Sequence, residues 1–153
     1  MSTKHDEAAR RRELHGALAN ESELLIRWVV VGLTLCSLHV LQWTLLGQDW
    51  KDDMTGWAYV DRDVLGSGTL LASVFVLAIS CFVMLLAILY RSSHMLWAVA
   101  VLSAARLVLV ARSASQANGG TMDSRFGVGM SVALLILAVL VSAAAAIVLR
   151  GRE

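Results

Sequence analysis

Four long apolar runs decide what this chain can fold into: Trp28 to Leu46, Val64 to Tyr90, Met95 to Ala111 and Phe126 to Leu149. Each is near the length of about 20 residues that a helix needs to cross the hydrocarbon core of a bilayer. The second and fourth contain no Asp, Glu, Lys, Arg or His, the first contains only His39, and the third only Arg106. Buried strands are far shorter than these runs, and a transmembrane barrel would need alternating segments of about 10 residues. The expected class is all-α: a polytopic membrane protein, an antiparallel bundle of four transmembrane helices spanning about residues 26–47, 64–90, 94–112 and 126–149.

Composition agrees. With 58% hydrophobic and 16% charged residues and a mean hydropathy of +0.67, the chain cannot cover itself with a water-facing surface. There is no proline, so uninterrupted helices form easily and proline-broken transporter helices are absent. A net charge of +1 argues against nucleic acid as a partner. The link Arg91-Ser92-Ser93-His94 is short enough to force a helical hairpin. Asn118, Gly119 and Gly120 end the third helix, and Thr121, Asp123 or Ser124 is placed to cap the fourth.

The basic residues orient the bundle, because loops rich in Lys and Arg stay in the cytoplasm. With the N-terminus inside, Lys4, Arg10, Arg11, Arg12, Arg27, Arg91, Arg150 and Arg152 are cytoplasmic, and Lys51, Arg62, Arg112 and Arg125 face the other side. Eight against four places both termini in the cytoplasm of a cell inner (plasma) membrane. Trp28 and Trp97 then fall near the inner boundary, and Trp43, Trp50 and Trp57 near the outer one, as interfacial aromatics should. Residues 1–23 form a polar cytoplasmic tail, in which Ala8 to Leu18 has the composition of a charged helix. The first span reads as retained, because its apolar run is longer than a signal peptide's and continues into Gln48, Asp49 and Trp50.

Three features are candidates for function. An ionisable group within a span is a functional hypothesis by default, which singles out Arg106. His39 and Gln42 lie at comparable depth in the first span, so the three are expected to form a polar cluster that an aspartate from the loop above would close. The second feature is that loop, residues 48–63, where five aspartates against Lys51 and Arg62 give a charge of −3. Asp49, Trp50, Asp52, Asp53, Trp57, Tyr59, Asp61 and Asp63 mark it either as a solvated acidic face with its aromatics anchored at the interface or as an acidic, aromatic docking surface for a partner. Its aspartates lack the spacing of a calcium-binding loop, so no metal is expected. The third is small residues at helix-packing spacing: Gly68 and Ala72, Gly127 and Ser131, then Ala138 and Ser142.

Catalytic patterns are missing. No phosphate-binding glycine loop, His-Glu-x-x-His motif or Gly-x-Ser-x-Gly elbow occurs. Cys36 and Cys81 form no Cys-x-x-Cys pair, and no acid within a span offers the proton relay of small multidrug exporters. His39 and His94 differ in depth by about 20 Å at helical rise, too far to share one haem. The chain is therefore expected to be no enzyme and to carry no cofactor.

In outline the four spans, cytoplasmic termini and larger first outer loop resemble claudins. The chain has Trp50 and Trp57 but not the claudin Trp, Gly-Leu-Trp and paired-Cys signature, so nothing is carried over. Eleven Arg against two Lys, with abundant Ala, Val and Leu, resembles a GC-rich bacterial proteome. In style the chain is similar to small four-helix actinobacterial inner-membrane proteins, some of which are accessory subunits of respiratory or lipid-import complexes. The missing catalytic set, beside an acidic aromatic loop, a charged cytoplasmic tail and small-residue helix faces, points to a non-enzymatic accessory or assembly subunit of a larger inner-membrane complex. Its partners would be the lipid bilayer and another membrane protein or a second copy. The alternative is a small binding or transport protein receiving an anionic or lipid ligand at Arg106, His39 and Gln42.

Overall fold

The computed structural model describes residues 3–47, 49–51, 54–55, 68–117 and 126–150, without the side chains of 3–12, 49–51, 54, 70, 114–117 and 126–128. Four helices dominate it: α1 (Thr3–Leu45), α2 (Thr69–Leu89), α3 (Ser93–Ala117) and α4 (Phe126–Arg150). Each is long and apolar enough to cross a membrane. Two short strands, β1 (Asp49–Lys51) and β2 (Met54–Thr55), pair antiparallel between α1 and α2, Asp49 opposite Thr55 and Lys51 opposite Met54. Hydropathy and charge alone mark only a loop there.

Boundaries differ from the hydropathy runs for identifiable reasons. α1 begins at Thr3, because Glu, Arg, Ala and Leu are good helix formers whether or not they are apolar. The tail and first span are thus one helix of 43 residues, about 65 Å long at 1.5 Å per residue. α2 begins at Thr69, after Gly68 turns left-handed at φ 66°. α3 continues past Arg112 to Ala117, so the run that looked shortest yields a helix of 25 residues, longer than the 21 of α2. The glycines and caps expected at 118–124 lie outside the described residues.

The α2–α3 turn is closed by its own backbone. Arg91 N–H donates to the Ile88 carbonyl at 3.4 Å and Ser92 N–H to the Ala87 carbonyl at 3.1 Å. These are the two reversed bonds of a Schellman cap, which needs a left-handed residue after the helix. Arg91 supplies it at φ 50°, where glycine is usual.

Neighbouring helices pack as a ring. α3 lies along α2 and α4, while α1 contacts α4 and, less extensively, α2. α1 and α3 touch each other less than any of these pairs do. The inward positions alternate in steps of three and four residues, the coiled-coil seam. On α3 they are Leu96, Val99, Ser103, Arg106, Val110 and Ser113; on α4, Ser131, Leu135, Ala138, Ser142, Ala145 and Leu149. Outward positions such as Phe75, Ile79, Phe82, Leu85, Val101 and Leu140 are apolar and exposed. Such helices are apolar outside and serine-dotted inside, the reverse of a helix facing water.

Two apolar clusters fill the interior. One gathers Trp28, Leu35 and Leu38 with Met84, Leu96, Val99, Ala138 and Leu149; the other is Leu46, Val110 and Leu135. α1 and α2 approach closely beside the first cluster. A Cβ on Gly32 would lie 3.1 Å from the Ile88 side chain.

Candidate functional site: a buried polar layer

Between the two apolar clusters, the seams of α1, α2 and α3 change from Leu, Val and Ala to polar side chains. α1 brings His39 and Gln42, α2 Ser73 and Ser80, α3 Ser103 and Arg106, all buried. The periodicity that aligns the leucines also places these groups, because Ser73 and Ser80 are one heptad apart and Arg106 follows Ser103 by three residues.

Arg106 is the centre of the layer and only 2% exposed. Its Nη1 donates to Oε1 of Gln42. Its Nε donates to Oγ of Ser73 at 3.1 Å. One guanidinium therefore ties α3 to both α1 and α2. Among the described residues Arg106 has no salt-bridge partner; the ion pair they contain is Arg27 with Glu23, at 2.5 Å on α1. Both of Arg106's acceptors are neutral.

His39 makes a separate pair of bonds. Its Nδ1 is 2.8 Å from the Leu35 carbonyl, which can only accept, so Nδ1 carries the proton. In the neutral ring Nε2 then accepts from the Ser80 hydroxyl at 2.9 Å. The ring is locked at both ends. Nearer the start of α2, Thr69 and Ser113 share a hydroxyl–hydroxyl bond of 2.6 Å between α2 and α3. Among the described residues three side-chain polar atoms remain buried without a partner: Nε2 of Gln42 and the hydroxyls of Ser131 and Ser142.

Counting depth along the helices brings Arg106, His39 and Gln42 to one layer. The structure bonds Gln42 to Arg106 directly and turns His39 to Ser80 instead. Ser73 and Ser80, the groups that complete both arrangements, were not singled out from sequence. Their signal was the seven-residue spacing together with Leu77 and Met84 on the same face of α2.

The other candidates separate. Ser131, Ala138 and Ser142 are fully inside the bundle and Ala72 is half-buried. Gly68 precedes α2, and a Cβ there would meet nothing within 4 Å, so its positive φ rather than close packing accounts for the glycine. Gly127 lies in the first turn of α4. Of the docking loop, Asp49 and Trp50 lie on β1; Asp52, Asp53, Trp57, Tyr59, Asp61 and Asp63 are outside the described residues. Cys36 and Cys81 are free and half-buried. Among the described residues no group of three or more His, Cys, Asp or Glu could hold a metal ion.

No family model, no curated protein and no solved structure matches this chain. A guanidinium bonded to a serine and a glutamine, and an imidazole held at both nitrogens, make a fastening between helices.

Proposed function

We propose that this chain crosses a cell inner membrane four times as an antiparallel bundle with cytoplasmic termini, as a non-enzymatic accessory or assembly subunit of a larger membrane complex. The observation that carries this reading is α1. It runs unbroken from Thr3, and the side chains from Glu13 to Glu23 are all exposed, clear of the other helices. About 38 Å of helix thus precedes the first fully buried position, Trp28. Leu14 and Leu18 are 63% and 61% exposed, and Leu25 continues their spacing at i+11 from Leu14. Leucines at that spacing on a rod outside the bilayer suit a partner helix. The apolar outward faces support insertion, and the eight-to-four basic bias supports the orientation.

The test is a photo-crosslinking residue at Ala17 in native membranes, followed by purification in mild detergent. A crosslinked partner is expected. Ala17→Pro, which breaks the rod but not the bundle, should abolish the crosslink made from a second site at Leu14. Recovery of the protein solely as an uncrosslinked monomer overturns the reading.

One observation favours the second reading, a binding or transport protein for an anionic or lipid ligand. Arg106 has no described carboxylate partner, and the Gln42 Nε2 donor beside it is free. Loss of ligand binding in folded Arg106→Lys protein would decide for it, because Lys keeps the charge but not the fork.

A further inference from the structure

α1 and α4 do not close completely along their shared face. An open groove of about 470 Å³ lies between them, walled by Ile26, Val30 and Val31 of α1 and by Val141, Ala144 and Val148 of α4. Its cause is in the sequence: Ala144 and Ala145 put methyl groups where α4 would need larger side chains to reach α1. Its walls carry one charged group, Arg27. Leu149 lines the same groove, so Arg150, the exposed residue after it, stands at the same end.

Arg27 has donors to spare. One nitrogen, Nη2, holds Glu23, in an exposed pair of the kind worth little. A guanidinium has five N–H donors. With Arg150 it leaves the groove end with a net positive charge against Glu23. The groove extends for about two helical turns on α4, or about 12 Å. Its volume falls in the range of about 300–1,000 Å³ typical of small-ligand sites. A helix about 10 Å across could rest on it but not enter it. An apolar slot with arginines at one end fits a chain that is apolar along its length and anionic at its head.

We propose that the groove binds an anionic glycerophospholipid, one acyl chain lying between α1 and α4 and the phosphate bonded by Arg27 beside Arg150. This rests on the membrane reading above but not on the polar layer or on any partner protein.

The full-length chain, reconstituted into vesicles of phosphatidylcholine and phosphatidylglycerol, would be tested for flotation. It would then be released into mild detergent for native mass spectrometry. The expected result is one retained phosphatidylglycerol per chain, at least fivefold preferred over phosphatidylcholine. Arg27→Gln, an exposed change that leaves folding intact, should abolish the preference. Ala144→Trp should fill the slot and remove both lipids, with helicity checked by circular dichroism; Val30→Trp is the second variant if that one misfolds. Equal retention of the two lipids, or an unchanged preference in Arg27→Gln, overturns the proposal. So does a dimer that Ala144→Trp dissociates without changing lipid retention. Failure to float overturns the membrane reading itself, a result distinct from floating protein that retains no lipid.

Discussion

Arg106 of α3 reaches Gln42 of α1, joining two helices that touch each other less than either touches α4. The same guanidinium holds Ser73 of α2. Three of the four helices thus meet at one side chain. Removing it should cost more than a packing residue of its size: Arg106→Ala leaves Gln42 Oε1 without its donor and a cavity behind it, an expected loss of about 2–4 kcal/mol. A double-mutant cycle with Gln42→Ala should give a coupling of about 0.5–2 kcal/mol. Unfolding by denaturing detergent in mixed micelles measures both, and additive losses would show that the bond carries no stability.

Gly32 predicts a steric threshold. Its virtual Cβ sits 3.1 Å from the Ile88 side chain, whose terminal methyl can move by a few tenths of an ångström. Gly32→Ala should therefore be nearly neutral, whereas Gly32→Leu should cost about 1–3 kcal/mol by forcing α1 from α2. The same unfolding titration compares them, and Ile88→Ala should restore part of the loss in Gly32→Leu.

Arg91 predicts a gain. A left-handed residue with a Cβ is strained by about 1–2 kcal/mol, part of which glycine returns through its larger unfolded-state entropy. Arg91→Gly should raise stability by about 0.5–1 kcal/mol through the relieved cap. Arg91→Val, β-branched and poorly suited to positive φ, should lower it.

Ser142 offers the contrast to Arg106. Its buried hydroxyl has no partner, so Ser142→Ala removes an unsatisfied group without opening a sizeable cavity. Stability should hold or rise by about 1 kcal/mol. Ser73→Ala, by comparison, should lower it, because Arg106 Nε loses its acceptor. Thermal melts of the two purified variants in one detergent provide the check.

The helices were legible because their signal is redundant: about 20 consecutive apolar residues say the same thing many times. Arg106 and Gln42 could be brought to one level because helical rise converts residue number into depth. Depth does not give azimuth, and azimuth decides that His39 faces Ser80 while Gln42, three residues on, faces Arg106. Serines are common in spans, so Ser73 and Ser80 carry meaning only once the seam of α2 is known. The continuity of the charged helix around Ala8 to Leu18 with the first span was hidden for another reason. Hydropathy marks where a helix can enter a bilayer, but backbone hydrogen bonding does not end there.

The polar layer also acts as a key for rotation. Apolar seams of Leu, Val and Ala tolerate one helix turning or sliding slightly against another, since every contact resembles the next. A single residue inserted between Leu35 and Gln42 would turn the latter by about 100° about the axis of α1. Its amide would then leave Arg106 facing hydrocarbon side chains with a positive charge. Of all the ways these four helices could interdigitate, the layer singles out the setting in which Gln42, Ser73 and Arg106 share one azimuth.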